Sequence, residues 1–258
     1  MKKILLLVLA VLGVQGIQAQ NDVEYGIFDH LGAGLSVGTD GIGIDVSSCI
    51  TDYVGVRAGV SFFPGIKINK KGVHFNGEST TYYNDIDLQA QLHKFDFKLL
   101  FDFYPIKTSS FHVTAGAYIG GGKLLSAKNT SPILKNASDY GNTGLMLGDY
   151  FVTTDNQGNA EVNVKVNGFK PYLGIGIGRA LPKKSRIAVS ADLGVQFWGT
   201  PYLYANARKG DFGEYKETKI KHGDLNDDDD QDIKDALKLI EKFPVYPVLN
   251  IRLTGRIF

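Results

Sequence analysis

Hydrophobic and polar residues alternate along most of this chain with a period of two. In residues 187–197, for example, the odd-numbered positions are apolar, and Arg186, Ser190, Asp192 and Gln196 lie between or beside them. A period of two is typical of a β-strand with one apolar face. The pattern predicts eight strands, over residues 31–37, 42–50, 54–62, 95–103, 111–119, 169–177, 187–197 and 249–257.

The connections between these strands are mostly short on one side and long on the other. The long ones cover roughly residues 70–84, 126–165 and 199–244, and the tight first hairpin at 39–41 is the exception among them. This asymmetry is typical of a transmembrane β-barrel, whose strands need about ten residues to cross a bilayer. We therefore expect an all-β fold, a closed antiparallel barrel of eight strands. Ten strands is the alternative, because residues 145–154 and 203–221 could add more.

In two places the apolar positions change between even and odd numbers. They are even-numbered from Ile86 to Leu92 and odd-numbered from Phe95 onward, and a similar change separates Val166 from Phe169. One extra residue in a β-bulge would swap the faces in this way. Alternatively, the membrane-spanning part of the strand ends there and the rest projects into water.

The alternation alone leaves open which face points outward, since a soluble barrel would turn its apolar face inward. The polar face is rich in Gly and Ser, which suits the crowded lumen of a small barrel, and aromatic residues cluster near strand ends, as in interfacial girdles. These features favour lipid on the apolar side. The charged residues expected to line the lumen are Asp45, Arg57, Lys94, Asp96, Lys98, Asp102, Lys170, Arg186, Asp192, Arg252 and Arg256. Because buried charges need partners, we expect a plugged interior of paired side chains with an excess of positive charge.

Composition and the first residues indicate the compartment. The 258 residues include 28 Lys+Arg and 27 Asp+Glu, a balance that argues against a nucleic-acid partner. A single cysteine, Cys49, excludes an internal disulfide framework. Two lysines, an apolar segment at residues 4–14 and a small residue at Ala19 predict a secretory signal peptide over 1–19, cleaved after Ala19. Residues 20–258 then form a single barrel domain.

The sequence offers little catalytic chemistry. None of the five histidines lies in the His-x-Ser-Asn context of outer-membrane lipid deacylases, and no Gly-x-Ser-x-Gly motif is present. We therefore expect no enzymatic activity and no organic cofactor.

One acidic stretch has the spacing of a calcium loop. Oxygen-bearing side chains stand at relative positions 1, 3, 5, 7, 9 and 12, and the candidate ligands are Asp224, Asn226, Asp228, Asp230, Asp232 and Asp235. Position 6 is Asp229, where a calcium loop needs glycine, so the alternative is a solvated acidic segment before a helix. Apolar residues at helical spacing predict that helix over 231–243, ended by Pro244. We expect it to lie across the barrel mouth as a lid.

Three segments carry a family resemblance: 169–179, 193–199 and the ending 246–258. They resemble the small outer-membrane β-barrel proteins of Gram-negative bacteria, particularly uncharacterised ones of the Bacteroidota type. The resemblance implies a porin-like barrel in the cell outer membrane, with outer-membrane lipid as a partner and another outer-membrane protein as a second candidate. It implies a non-enzymatic structural or interaction protein that acts through its extracellular loops. The alternatives are a small passive diffusion channel and a soluble secreted ligand-binding barrel.

Overall fold

The computed structural model describes residues 26–74, 85–136, 138, 144–147, 150–183, 185–209, 215–224 and 231–257. The predicted signal peptide lies outside these residues. Among them, no helix is both long enough and apolar enough to cross a bilayer.

Eight antiparallel strands close into a barrel, which confirms the predicted fold class and strand count. The barrel strands are β1 (Leu31–Gly38), β2 (Gly41–Thr51), β3 (Val54–Phe62), β6 (Phe95–Phe103), β7 (Phe111–Gly120), β12 (Phe169–Ile177), β13 (Ile187–Phe197) and β16 (Val245–Arg256). Their order around the barrel is β1-β16-β13-β12-β7-β6-β3-β2, so the first and last strands pair and no edge is left open. Closure satisfies the backbone hydrogen bonds that lipid cannot.

The long connections form a second sheet, which the sequence pattern did not predict as such. We call it the extension. Its strands are β4 (Ile66–His74), β5 (Asp85–Leu92), β8 (Lys123–Asn129), β9 (Gly144–Leu147), β10 (Tyr150–Thr153), β11 (Glu161–Lys165), β14 (Tyr202–Lys209) and β15 (Lys216–Ile220). They follow the order β4-β5-β8-β11-β14-β10-β9, and β15 also pairs with β14. The segments proposed for a ten-stranded barrel do contain strands, but these belong to the extension.

The extension continues one side of the barrel wall. Strands β4, β5, β8, β11 and β14 follow or precede β3, β6, β7, β12 and β13 after a few residues, and they pair in the same order. Backbone hydrogen bonds carry the ladder across the junction, for example from Phe63 N to Lys94 O at 3.0 Å and from Val166 N to Gly122 O at 2.7 Å. The barrel therefore has an extension end and, opposite to it, a short-turn end.

The change of apolar phase marks this junction. From β5 into β6 the alternation is unbroken: His93 and Phe95 are exposed, whereas Lys94 and Asp96 are buried in the lumen. Leu92 therefore lies on the lumen side of the wall. Apolar side chains face outward in the barrel and inward in the extension, because water replaces lipid around the outer face. On this strand the change of phase therefore marks the point where the membrane-spanning part ends and the rest projects into water, as the second sequence interpretation states.

Extra residues do occur, but on the neighbouring strands. Asp96 pairs with Gly120 in the barrel and Leu92 pairs with Leu125 in the extension. The chain thus advances four residues on one strand and five on the next. The additional residue falls near Gly121 and Gly122, where a β-bulge is accommodated easily because glycine has few steric restrictions.

The exterior of the barrel is apolar. Leu193, Leu173 and Phe169 are 55%, 54% and 59% exposed, whereas their polar neighbours along the strands point inward. This arrangement defines a transmembrane barrel, with its apolar face on the outside. The soluble alternative, which needs an apolar interior, is wrong.

The single α-helix of the described residues, α1 (Gln231–Glu241), lies in the last long connection, as predicted. It packs near β14, and Leu237 is buried. The Trp198 indole donates a hydrogen bond to Phe243 O at 2.8 Å, which fixes the end of this connection at the barrel rim. The role of α1 as a lid over the barrel mouth stays a prediction.

We predict that Leu193→Arg destabilises the folded barrel by about 2–4 kcal/mol in lipid vesicles, because it places a charge on the lipid face. The free energy of unfolding in urea measures the effect. The control is Asn206→Arg in the extension, at an exposed position outside the barrel, where we expect a change within about 0.5 kcal/mol. Equal costs at both positions would contradict the assignment of the lipid face.

Candidate functional site

The lumen is filled with charged side chains that the strands turn inward. Nine of the eleven charged residues predicted to line it are buried, and Asp40, at the tip of the first hairpin, joins them at 1% exposure. Asp40 continues the inward even-numbered phase of Ser36 and Gly38, and this signal could have identified it from the sequence. The buried lumenal charges are Asp40, Asp45, Arg57, Lys94, Asp96, Lys98, Asp102, Lys170, Asp192 and Arg252.

This set corrects two sequence predictions. Arg186 is exposed just before β13, and Arg256 is half-buried at the end of β16, where it donates to Pro182 O at 3.3 Å. Both arginines lie at the short-turn end, where the barrel strands begin or end, so their side chains do not line the lumen. Among the described residues the lumen thus holds five basic and five acidic side chains besides His112, so Lys and Arg do not outnumber Asp there as the sequence predicted.

Arg57 is the centre of the largest ion-pair network. Its guanidinium donates to Asp102 at 2.7 Å and to both oxygens of Asp192 at 2.9 and 3.0 Å. Thr114 donates to Asp102 at 2.7 Å, and His112 Nε2 lies 2.9 Å from Asp192. One cation therefore joins strands β3, β6 and β13 across the barrel. A guanidinium suits this role because its donors form a planar fork that matches carboxylates.

His112 is held from both sides. Its Nδ1 lies 3.3 Å from Ser110 O and its Nε2 lies 2.9 Å from the Asp192 carboxylate. Both neighbours are acceptors, so the arrangement suits an imidazolium that donates twice. With His112 charged, two cations balance the two carboxylates of this network.

Two further clusters fill the remaining lumen. Arg252 Nε donates to Asp45 at 2.9 Å, and Lys98 lies 3.2 Å from the same carboxylate. Toward the extension end, Lys170 pairs with Asp96 at 2.5 Å and Lys94 lies 3.7 Å from it. The ion pairs thus occupy the lumen at several heights.

Glycines in the polar phase give these long side chains room. A Cβ added at Gly34 would lie 2.4 Å from Arg252 Nε, and one added at Gly176 would lie 2.4 Å from His112 Nε2. These distances are too short for any real contact. At these two positions glycine leaves the space that Arg252 and His112 occupy.

Apolar and aromatic side chains complete the filling. Leu100, Tyr118, Tyr172 and Val248 form a buried cluster inside the lumen. The rings of Tyr118 and Tyr172 meet edge to face at 5.6 Å between centroids. Such a layer leaves little room for water between the ion-pair clusters.

The turn between β12 and β13 closes the short-turn end. Ala180 and Leu181 are almost completely buried. Ala180 N donates to the Tyr104 hydroxyl at 2.7 Å, and Ala180 O accepts from Ser47 at 2.8 Å and from Arg252 at 3.0 Å. We call residues 179–183 the turn plug, since they connect the lumenal network to the rim.

Charged groups hold the turn plug in place. Arg179 donates to Asp52 O at 3.2 Å and to Ser109 O at 3.1 Å, so it joins the other two short turns. The Asp52 carboxylate accepts from Lys107 at 2.6 Å and from Lys183 at 2.5 Å. Burial would raise the pKa of Asp52, but hydrogen bonds from these two ammonium groups outweigh it and lower the pKa to about 2.

Asp102, His112 and Asp192 place one potential metal-ligating atom each within 4.8 Å of one another. Arg57 already bridges both carboxylates, and His112 Nε2 faces Asp192. The geometry therefore fits an ion-pair network better than a metal centre, because a cation there would have to displace or repel the guanidinium.

The predicted calcium loop is described only in part. Asn226, Asp228 and Asp230 lie outside the described residues. Asp224 accepts a hydrogen bond from Lys221 N at 2.9 Å, while Asp232 and Asp235 lie on α1. Calcium binding stays a prediction.

The closed fold, its apolar exterior and its charged lumen define the class of protein, an eight-stranded transmembrane β-barrel. No protein-family model matches the sequence, and no curated protein is significantly similar to it. The Bacteroidota resemblance therefore stays a prediction.

Three solved structures are similar in fold. CarO2 of Acinetobacter baumannii is 18% identical over 88% of this chain and 98% of that one, with a TM-score of 0.46. CarO of the same organism is 18% identical over 87% and 96%, with a TM-score of 0.43. A major outer membrane protein from Thermus thermophilus is 15% identical over 88% and 98%, with a TM-score of 0.39. Similarity at this level says nothing about function, which has to be inferred from the barrel itself.

We predict that Arg57→Leu destabilises the barrel by about 3–5 kcal/mol, since it leaves buried Asp102 without a cation and buried Asp192 with His112 alone. Urea unfolding in lipid vesicles measures the change. Arg186→Leu removes an exposed arginine and is the matched control, with an expected effect within about 0.5 kcal/mol. A small effect at Arg57 would show that the network does not hold the lumen together.

We also predict an acid-sensitive contribution from Asp52. Its pKa is lower in the folded protein than the ordinary 3.8, so its stabilising effect is complete above about pH 4 and is lost as the pH falls toward 2. Asp52→Asn should therefore reduce stability at pH 5 and flatten the loss of stability between about pH 4 and 2. Urea midpoints across this range test it, and parallel curves for both proteins would contradict the role of Asp52.

Proposed function

We propose that this chain is an integral outer-membrane protein with a closed lumen, which acts through its extension rather than as a channel or an enzyme. The observation that carries the proposal is the filled lumen, which holds ten buried Lys, Arg and Asp side chains, an aromatic layer and the turn plug. The first barrel strand, β1, begins at the short-turn end and the last, β16, ends there. In this proposal the short-turn end faces the periplasm and the extension faces outward.

The arrangement around His112 supports a role without catalysis. A histidine that activates a nucleophile needs a free ring nitrogen within reach of a hydroxyl or thiol. Both nitrogens of His112 instead face acceptors, and the nearby Thr114 hydroxyl donates to Asp102. The histidine and the carboxylates therefore support the barrel.

The extension supports an interaction role. Five barrel strands are prolonged beyond the membrane band, and the added sheet has its own buried core of Tyr150, Val152, Ala205, Ala207 and Ile220. Such a core makes the extension a defined surface rather than a set of loose loops. Partners are therefore expected there, with lipid around the barrel below.

The runner-up function is a small passive diffusion channel, and conductance separates the two. We expect the purified protein to show heat-modifiable migration on a gel, which reports a folded barrel, and no sustained current in planar bilayers. A continuous current from the folded wild-type protein would contradict the closed lumen and favour the channel.

A further inference from the structure

The outer face of the extension differs in chemistry from its inner face. On β14, Ala205 and Ala207 are buried on the inner side, whereas Asn206 between them is exposed on the outer side. The pairing of β14 with β11 and β15 places Lys165 and Lys219 on the same side as Tyr202 and Tyr204. The outer face therefore continues the lipid-facing exterior of the barrel, but with polar residues.

Basic side chains predominate on this face within the part of the chain that the structure describes. Strand register places the acidic residues Asp85, Asp87, Glu161 and Glu217 there, and they are outnumbered by cations from five strands. Two of the cations are paired, Lys123 with Glu161 at 2.8 Å and Lys165 with Glu217. The cations are Lys67, Lys123, Lys128, Lys165, Arg208 and Lys219.

Aromatic rings accompany these cations. Lys219 Nζ lies 3.1 Å from the centroid of the Tyr202 ring, and Lys165 Nζ lies 4.9 Å from that of Tyr204. The Arg208 guanidinium lies 5.0 Å from the centroid of Phe151. Three cations are thus held against ring faces, which orders their side chains before any ligand arrives.

Amide and hydroxyl groups fill the same face between the cations. Gln89 donates to Asn69 at 2.9 Å, and Ser126 donates to Glu161 at 2.9 Å. Gln91 on β5 and Asn163 on β11 stand on the same face, one on each side of Ser126 in β8. Such groups both donate and accept, so they match the hydroxyls of a saccharide as well as phosphate oxygens.

The position of this face indicates its ligand. Lys165 lies four residues before Phe169 on a continuous path, which puts it about 13 Å beyond the aromatic rim of the barrel. Phe169, Phe95 and Ile119 mark that rim, each about half exposed. The first cations therefore stand at the level of the headgroups that adjoin the hydrocarbon core.

We propose that the outer face of the extension binds the phosphorylated saccharide headgroup of the glycolipid in the outer leaflet. The cations would pair with the phosphates, and the amides and tyrosines would form hydrogen bonds with the sugar. Basic clusters beside a membrane span attract anionic headgroups in this way. The inference rests on the proposed outer-membrane placement, and it names the chemistry of the partner at the extension.

The test uses the full mature protein, purified in detergent, with deep-rough lipopolysaccharide as the probe. The variant Lys67→Gln/Lys128→Gln/Lys219→Gln removes three of the six cations and leaves the ion pairs of Lys123 with Glu161 and of Lys165 with Glu217 in place. We expect its affinity for the probe to fall at least about tenfold, since each basic group near a membrane surface contributes appreciably. The matched control, Lys216→Gln/Lys238→Gln/Lys242→Gln, removes three exposed lysines away from the outer face and should stay within about twofold of wild type.

Two further arms keep the test decisive. Dephosphorylated lipopolysaccharide should bind the wild-type protein about as weakly as the intact probe binds the triple variant, and phosphatidylglycerol, a phosphate without the saccharide, should bind less tightly than the probe. Equal loss in variant and control, or unchanged binding after dephosphorylation, would overturn the proposal. Heat-modifiable migration is measured for every protein. If the wild-type barrel inserts into membranes but does not bind the probe, this inference alone is contradicted. If the protein does not insert, the outer-membrane function is contradicted.

Discussion

Burial of charge inside a lipid-facing barrel is the constraint on which this structure depends. Lipid requires an apolar exterior and a closed hydrogen-bond ladder, so the charged side chains of the eight barrel strands are turned inward along the membrane band. There each charge needs a partner. Arg57, bonded to Asp102 and Asp192, meets this need at the centre of the barrel, and the clusters around Asp45 and Asp96 meet it on either side.

The same constraint accounts for the closed lumen and for its glycines. Paired side chains from opposite walls cross the lumen, and small residues such as Gly34 leave space for them. The turn plug joins this network through Ala180 O, which accepts from Arg252. Closure at the rim and pairing in the lumen are therefore one connected set of contacts.

Much of this architecture could be predicted from the sequence, because alternation reports directly which side of a strand meets lipid. All eight barrel strands were predicted in this way, and α1 was predicted from the helical spacing of its apolar residues. The extension was not, since its strands are short and their apolar residues face inward, in the opposite phase from the barrel. Asp40 was missed because it lies in a turn, and Arg186 was misplaced because phase alone does not show where a strand leaves the lumen. The network that joins Arg57 and His112 to Asp102 and Asp192 depends on strands far apart in sequence, which no local pattern contains.

The reversal of faces along one continuous path, from β11 into β12, is the central claim and can be measured directly. Leu173→Cys and Asn163→Cys, each in a Cys49→Ser background, place a fluorescent label on the same outer side of this path, one in the barrel and one in the extension. In lipid vesicles, we predict that a lipid-bound nitroxide quenches the label at 173 and that aqueous iodide quenches the label at 163. Quenching of both labels from water, or of both from lipid, would contradict the account.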